Sequence, residues 1–183
     1  MVQHWPMKNK AQSASKGTRR VVHLTKIGLL ALLSVIGFDL FLHAGVLASL
    51  YARPSPFLLP QEEAFRLIPL GYLSFLMLII LLIWLMTRLD IVGWRAGLVF
   101  GLKIGAIIWG ALVLGLLSIS TASVSLLVGW FLGQTVELGI AGMVMGSGLS
   151  TNRLCSLLVK VIIFFVVMVV LAILLQNIGN FQR

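Results

Sequence analysis

The sequence has few charged residues and a single cysteine. Charged residues make up 10% of the chain, and Asp and Glu together number 5. A soluble domain would carry about 25% charged residues. The lone Cys155 excludes an internal disulfide, and no Cys/His cluster has the spacing of a zinc or iron–sulfur site. We therefore predict no bound metal and no cofactor.

Motifs of common catalytic sites are also absent. The sequence contains no P-loop, no GxSxG elbow, no HExxH pair and no CxxC pair. Hydroxyl side chains do cluster at Ser118, Ser120, Thr121 and Ser123, but helix capping at a short turn accounts for them. We predict that the protein is not an enzyme.

Long apolar runs are what the sequence does have. Hydrophobic residues make up 60% of the 183 residues, against roughly 45–50% in soluble domains. A membrane-spanning helix needs about 20 mostly apolar residues. Five segments meet this length and predict an all-α, polytopic bundle of transmembrane helices: 27–50, 68–86, 94–117, 124–146 and 157–175.

The positive charges are distributed as topology signals. Of the 14 Lys and Arg, six precede the first span: Lys8, Lys10, Lys16, Arg19, Arg20 and Lys26. We predict that residues 1–26 form a basic, disordered cytoplasmic tail. The net charge of +9 is concentrated near span ends, so it indicates contact with a lipid bilayer and no nucleic acid as partner.

The short loops predict a cytoplasmic N-terminus, because Lys and Arg disfavour translocation. This orientation puts Arg88, Arg95 and Arg153 inside with the N-terminal cluster, and leaves Arg53, Arg66 and Arg183 outside. The expected location is a cell membrane, with the N-terminus on its cytoplasmic side. In the outer loop 51–67, Pro60 followed by Glu62 and Glu63 predicts the start of a short amphipathic helix.

Glycines at four-residue spacing predict close helix packing. The residues are Gly97, Gly101 and Gly105 in the third span, and Gly129, Gly133, Gly142 and Gly146 in the fourth. Small residues on one face let two backbones approach in a membrane. We predict a tight antiparallel hairpin of these two spans at the centre of the bundle, with Gly101 and Gly133 at a close contact. The fifth span has no such stripe, which predicts a peripheral helix.

Five polar residues lie where the bilayer makes them costly: Asp39, His43, Lys103, Gln134 and Glu137. Pairs three or four residues apart share a helical face. At 1.5 Å per residue, both carboxyls lie roughly 15–18 Å from the cytoplasmic side, and Lys103 about 12 Å. We therefore predict one shared polar site between the first, third and fourth spans.

This site has two interpretations. Asp39, Glu137 and Lys103 can pair to lock the bundle. Alternatively, they can form a proton or cation relay or a polar pocket for a small substrate, since intramembrane ionisable residues often mark function. The first interpretation predicts a non-enzymatic membrane module or complex subunit, and the second a small proton- or cation-coupled transporter. Either is compatible with a homo-oligomer or a membrane partner, because five helices enclose little volume alone.

Several of these features also resemble a known type of protein. They are Asp39 and Tyr51 in and after the first span, Pro60, Pro69 and Tyr72 leading into the second, and the stretch from Trp130 to Gly146. The region from Gly37 to Gly148 resembles small bacterial multi-pass inner-membrane proteins defined by a domain of unknown function. The resemblance implies a helical membrane fold rather than an activity. The basic tail and the fifth span depart from that pattern.

Overall fold

The protein is a bundle of long helices. The structure, a computed structural model, describes residues 8–52, 55–151 and 153–181. The elements in chain order are α1 (Lys8–Asp39), a π-helical segment (Leu40–Val46), α2 (Ala48–Tyr51), α3 (Gln61–Arg88), α4 (Trp94–Ile119), α5 (Val124–Leu149) and α6 (Leu154–Phe181). Within the described residues no strand is present.

Five helices are long and apolar enough to span a membrane, as the sequence predicted. The candidate spans are Gly17–Val46, Glu62–Arg88, Trp94–Ile119, Val124–Leu149 and Leu154–Ile178. Each contains or largely overlaps one predicted span. The all-α, multi-pass membrane fold is therefore confirmed. Because the described residues contain five such helices, the start of α1 and the end of α6 lie at opposite ends of the bundle.

Two helices extend beyond their predicted limits. α1 begins at Lys8, so residues 8–26 are helical where we predicted a disordered tail; residues 1–7 lie outside the described part. This segment has no proline, and a helix already formed by the apolar span can propagate into it cheaply. The helix predicted to start at Pro60 does so, with Pro60 as N-cap. It continues without a break through Pro69 into the second span.

α4 and α5 form the predicted antiparallel hairpin, joined by residues 120–123. A methyl group on Gly97 would overlap the carbonyl oxygen of Gly142, and one on Gly101 would overlap that of Leu138. Gly105 lies against the backbone of Thr135 in the same seam. The two helices therefore touch backbone to backbone along this face, which is possible only because these residues lack a Cβ.

The turn between α3 and α4 is fixed to the same seam. Gly93 has a φ of 94°, a conformation that costs glycine little. Its N–H donates to the carbonyl oxygen of Gly146 at 2.9 Å, and a Cβ on Gly146 would overlap the Gly93 carbonyl. The start of α4 is therefore tied to the end of α5.

The centre of the bundle differs from the prediction. α1 and α5 occupy it, α6 packs on α1 and its π-helical segment, and α3 packs across α1 and α5. α4 contacts α5 through its glycine face, while Ile107 and Leu114 on α4 are 68% and 69% exposed. A glycine stripe brings one face of a helix close to a neighbour but does not bury the opposite face, so α4 lies at the edge.

Gly129 and Gly133 face a different partner from the one predicted. A Cβ on Gly129 would lie 2.8 Å from Leu47, and one on Gly133 would overlap the side chain of Leu42. Both leucines follow α1, so the predicted contact between Gly133 and Gly101 is wrong. The six-residue step from Gly133 to Gly139 rotates the stripe around α5. α5 thus presents one glycine face to the first span and another to α4.

The cytoplasmic location of the N-terminus stays a prediction, and Cys155 can test it. Cys155 is the only cysteine, is exposed, and lies at the start of α6, on the N-terminal side of the bundle. In intact cells an impermeant maleimide should leave it unmodified until the membrane is permeabilised. A Cys155→Ser/Thr121→Cys variant, with its thiol in the α4–α5 turn, should react without permeabilisation. The opposite labelling pattern would show that the N-terminus lies outside.

Two of the residues that the sequence analysis placed outside, Arg53 and Arg183, do not belong to the described residues.

Candidate polar site within the membrane

A π-helical segment shapes the first part of the site. The N–H of Leu47 donates to the carbonyl oxygen of Leu42, five residues earlier, at 2.8 Å. This wider turn follows directly after Asp39 and contains His43. The Nε2 atom of His43 lies 3.3 Å from Oδ1 of Asp39. Single π-helical turns occur frequently at functional sites in proteins.

His43 is the centre of a hydrogen-bonded network that links the first span to α5. Its Nδ1 lies 2.5 Å from the hydroxyl oxygen of Tyr51, and this oxygen accepts a bond from Nε1 of Trp130 at 2.5 Å. On the other side of the ring, Nε2 of His43 lies 3.1 Å from the amide nitrogen of Gln134. Three side chains, of Asp39, Tyr51 and Gln134, thus meet around one imidazole, and Trp130 joins the network through Tyr51.

Two proton arrangements fit these heavy atoms. In the first, Tyr51 donates to Nδ1 of His43, and the Nε2–H donates to Asp39. The Gln134 amide is then turned so that its oxygen, otherwise without a donor, faces this N–H. In the second, Nδ1–H donates to Tyr51, and Nε2 accepts from the Gln134 amide nitrogen. Asp39 then has no donor and favours its protonated form. The second arrangement holds one proton more than the first, on Asp39, and the imidazole stays neutral in both. The network therefore changes from one arrangement to the other by taking up or releasing one proton.

Tyr51 itself stays neutral in both arrangements. It lies after the first membrane-spanning stretch, and burial raises the pKa of its phenol to about 12. The hydroxyl can therefore accept from Trp130, which has only a donor to offer, and still use its hydrogen or a second lone pair toward His43. Tyr51 therefore links His43 to Trp130 of α5.

Glu137 is the most unusual residue of the site. Its side chain is 1% exposed, and neither carboxyl oxygen has a hydrogen-bond partner in the described structure. It adjoins a cavity of about 10 Å³ that is also lined by Gln134, Phe75 and Ile79. Buried polar groups are nearly always hydrogen-bonded, so an unpartnered carboxyl at this depth requires an explanation.

Asp39 and Glu137 lie at the same level, as predicted. Close contacts of Gly148 with Ile27 and of Gly133 with Leu42 set the antiparallel register of α1 and α5, and the two acids fall opposite each other in that register. In a low-dielectric interior such a pair favours holding at least one proton.

Lys103 does not join the site. It lies on the exposed face of α4, away from the glycine face that contacts α5. Among the described residues no ion pair connects it to Asp39 or Glu137; the one ion pair present joins Asp39 to His43. Of the five predicted site residues, the four that come together therefore belong to the first span and α5, and Lys103 of α4 is not among them. The described residues also bring together no group of three His, Cys, Asp or Glu side chains that could hold a metal.

Three participants were not predicted as site residues. Tyr51 lies two turns after His43, and Trp130 lies four residues before Gln134 on the face that carries Glu137, so helical spacing could have indicated both. Gln176 of α6 donates to the carbonyl oxygen of Ala44 at 2.9 Å. This bond satisfies a backbone group of the π-helical segment, and no sequence pattern pointed to it.

The Tyr51 hydroxyl is expected to stabilise the fold. Tyr51→Phe removes the acceptor of Trp130 and the partner of His43, and leaving a buried donor unpaired costs about 1–3 kcal/mol. Thermal unfolding in detergent should occur at a lower temperature than for the wild type. The control is Tyr72→Phe, at the only other tyrosine, where a much smaller change is expected. Equal effects of both substitutions would argue against a stabilising network at Tyr51.

Comparison with known proteins adds no relative. No family model, no curated protein and no solved structure matches the chain. The resemblance to small bacterial inner-membrane proteins stays a prediction. The site must be interpreted from its own geometry.

Proposed function

We propose that the protein is a non-enzymatic membrane module that relays protons, using Glu137 and Asp39 as the proton-binding groups. The observation that carries this proposal is the Glu137 carboxyl, buried without a partner at the level of Asp39. The proposal places the module in the cytoplasmic membrane of a bacterium, in line with the sequence-based prediction.

A purely structural role accounts poorly for Glu137. A carboxyl that locks helices together would be expected to bond a cation or donors on the neighbouring helix, and Lys103 is exposed on another face. An ionised carboxyl without partners is too costly to bury, so it takes up a proton instead. Ionisable residues inside membranes that lack a structural partner are functional sites by default.

The neighbouring groups provide a route for the proton. The side chains of Asp39 and His43 are 15% and 27% exposed. A proton can therefore enter at His43 and pass inward to Glu137. The cavity beside Glu137 and Gln134, about 10 Å³, is close to the smallest that holds one water. Such a water would bridge Glu137 to Gln134 and hence to His43. The size of this cavity suits a proton carried on water rather than a larger solute.

Proton flux through reconstituted protein tests the proposal. Liposomes containing the protein and a trapped pH-sensitive dye are given an inside-negative potential with potassium and valinomycin. Wild-type protein should acidify the interior faster than protein-free liposomes. Glu137→Gln and Asp39→Asn should return the rate to the protein-free level, while Glu63→Gln, at an exposed acid on α3, should not. Flux that persists in Glu137→Gln, or wild-type flux equal to that of empty liposomes, would refute the relay.

One observation favours a second candidate, a subunit of a membrane complex. Lys103 lies nine residues after the start of α4, about 14 Å along the helix axis, and its side chain is exposed on an apolar surface. A partner helix with a carboxyl at that depth would neutralise it. If so, a partner or a second copy should co-purify in mild detergent and be lost from Lys103→Met. If the variant still co-purified with the same partners, Lys103 would not be the residue that binds them.

A further inference from the structure

A basic groove lies at the N-terminal side of the bundle, between α1 and the start of α6. Its volume is about 890 Å³. Its lining includes Arg19, Val22, Lys26, Arg153, Leu154 and Cys155. This groove is remote from Glu137 in the middle of α5, and the relay proposed above makes no use of it.

The groove is strongly positive. Arg19, Lys26 and Arg153 contribute three cations, and no Asp or Glu is among the lining residues. The one ion pair in the described part of the chain lies elsewhere, between His43 and Asp39, so no described carboxylate neutralises these cations. An unneutralised cluster of this kind attracts an anion, and Arg is well suited to the oxygens of a phosphate group.

The position of the groove indicates where the anion comes from. The candidate spans of α1 and α6 begin at Gly17 and Leu154. In α1 the uninterrupted apolar run follows Lys26 and starts at Ile27, so the groove sits at the level where a span enters the membrane. Val22 and Leu154 add apolar surface to its wall. One or two turns deeper, on the same helical faces, Leu29 and Leu158 are exposed. A ligand with a phosphate above and acyl chains below fits both parts.

We infer that this groove binds the phosphate headgroup of an anionic phospholipid, with Arg19, Lys26 and Arg153 around the phosphate and the acyl chains along α1 and α6. Basic pockets between helices on the cytoplasmic side of a membrane recognise such headgroups. A soluble phosphate compound shares the headgroup chemistry but would gain nothing from the apolar wall, and the experiment separates the two sources.

Cys155 provides the probe, because it lines the groove and is the only cysteine. The alkylation rate of Cys155 is measured on the full-length protein in mild detergent, with phosphatidylglycerol, phosphatidylcholine or glycerol 3-phosphate added. Phosphatidylglycerol should slow the reaction, and the other two should not. Each variant is compared with its own lipid-free rate, so that a change in intrinsic thiol reactivity does not enter.

Substitution of the cations completes the test. Arg19→Gln and Arg153→Gln change exposed side chains, so folding should be retained, and each should raise the phosphatidylglycerol concentration needed for half-protection by about fivefold. Arg88→Gln, at an exposed cation where α3 ends at the same side of the bundle, is the control and should leave it unchanged. The inference fails if phosphatidylcholine protects equally, if glycerol 3-phosphate protects equally, or if Arg88→Gln has the effect of Arg153→Gln.

Discussion

Gly101→Ala should strongly destabilise the protein. A methyl group at this position would overlap the backbone carbonyl of Leu138 on α5. Backbone atoms cannot turn aside as the end of a flexible side chain can, so α4 and α5 would have to separate along their seam. Overpacking of a tightly packed interior costs about 1–3 kcal/mol, and thermal unfolding in detergent should report a loss of this size.

A matched control lies on the same helix. Gly115 of α4 has no atom within 4 Å of an added Cβ, so Gly115→Ala should cause no loss of stability. A gain of about 0.5–1 kcal/mol is expected instead, because alanine loses less backbone entropy than glycine in a helix. Gly133→Ala should fall between the two, because the obstructing atoms belong to the end of the Leu42 side chain. Equal losses for Gly101→Ala and Gly115→Ala would show that α4 and α5 are not in backbone contact.

Glu137→Met should have the opposite effect on stability. The wild-type carboxyl is buried with both oxygens unpartnered, and an unsatisfied buried polar group costs about 1–3 kcal/mol. A flexible apolar side chain of similar length removes that cost and fills the same space. We expect the variant to unfold at a higher temperature than the wild type and to conduct no protons. The wild-type protein would then keep Glu137 for its function although this residue lowers stability, a trade-off that is common at active sites.

Glu63→Met serves as the reference for this experiment. Glu63 is exposed in the first turn of α3, where it interacts favourably with the helix dipole, so the same substitution should give no gain in stability. If Glu137→Met instead lowered stability as much as Gly101→Ala, Glu137 would be holding helices together. The structural interpretation of the site would then replace the relay.

Helical spacing in the sequence predicted much of the site. Asp39 with His43, and Gln134 with Glu137, share faces because they stand four and three residues apart, and the structure brings these two pairs together. Counting residues also placed the two carboxyls at one level. Lys103 was assigned to the site wrongly. Counting residues gives the depth of a side chain along the helix axis, but it does not give the direction around the axis in which that side chain points. The glycine face of α4, which could have fixed the rotation, points to α5 and leaves Lys103 on the exposed side.

Other features depend on contacts that no local pattern encodes. The π-helical segment after Asp39 is held by Leu42 packing against Gly133 and by the bond from Gln176 to Ala44. Both involve residues about 90 to 130 positions apart in the chain. The place of α4 at the edge was likewise hidden, since a glycine stripe reports a close contact without saying how many neighbours a helix has.

Infrared spectroscopy of the protein in lipid tests the central claim, that Glu137 holds a proton inside the membrane. A protonated carboxyl has a carbonyl absorption separate from the amide and carboxylate bands. At neutral pH the wild-type spectrum should contain this band. Glu137→Gln should lower its intensity, because only Asp39 can then still contribute, while Glu63→Gln should leave it unchanged. A wild-type spectrum without the band, or an undiminished band in Glu137→Gln, would contradict the account.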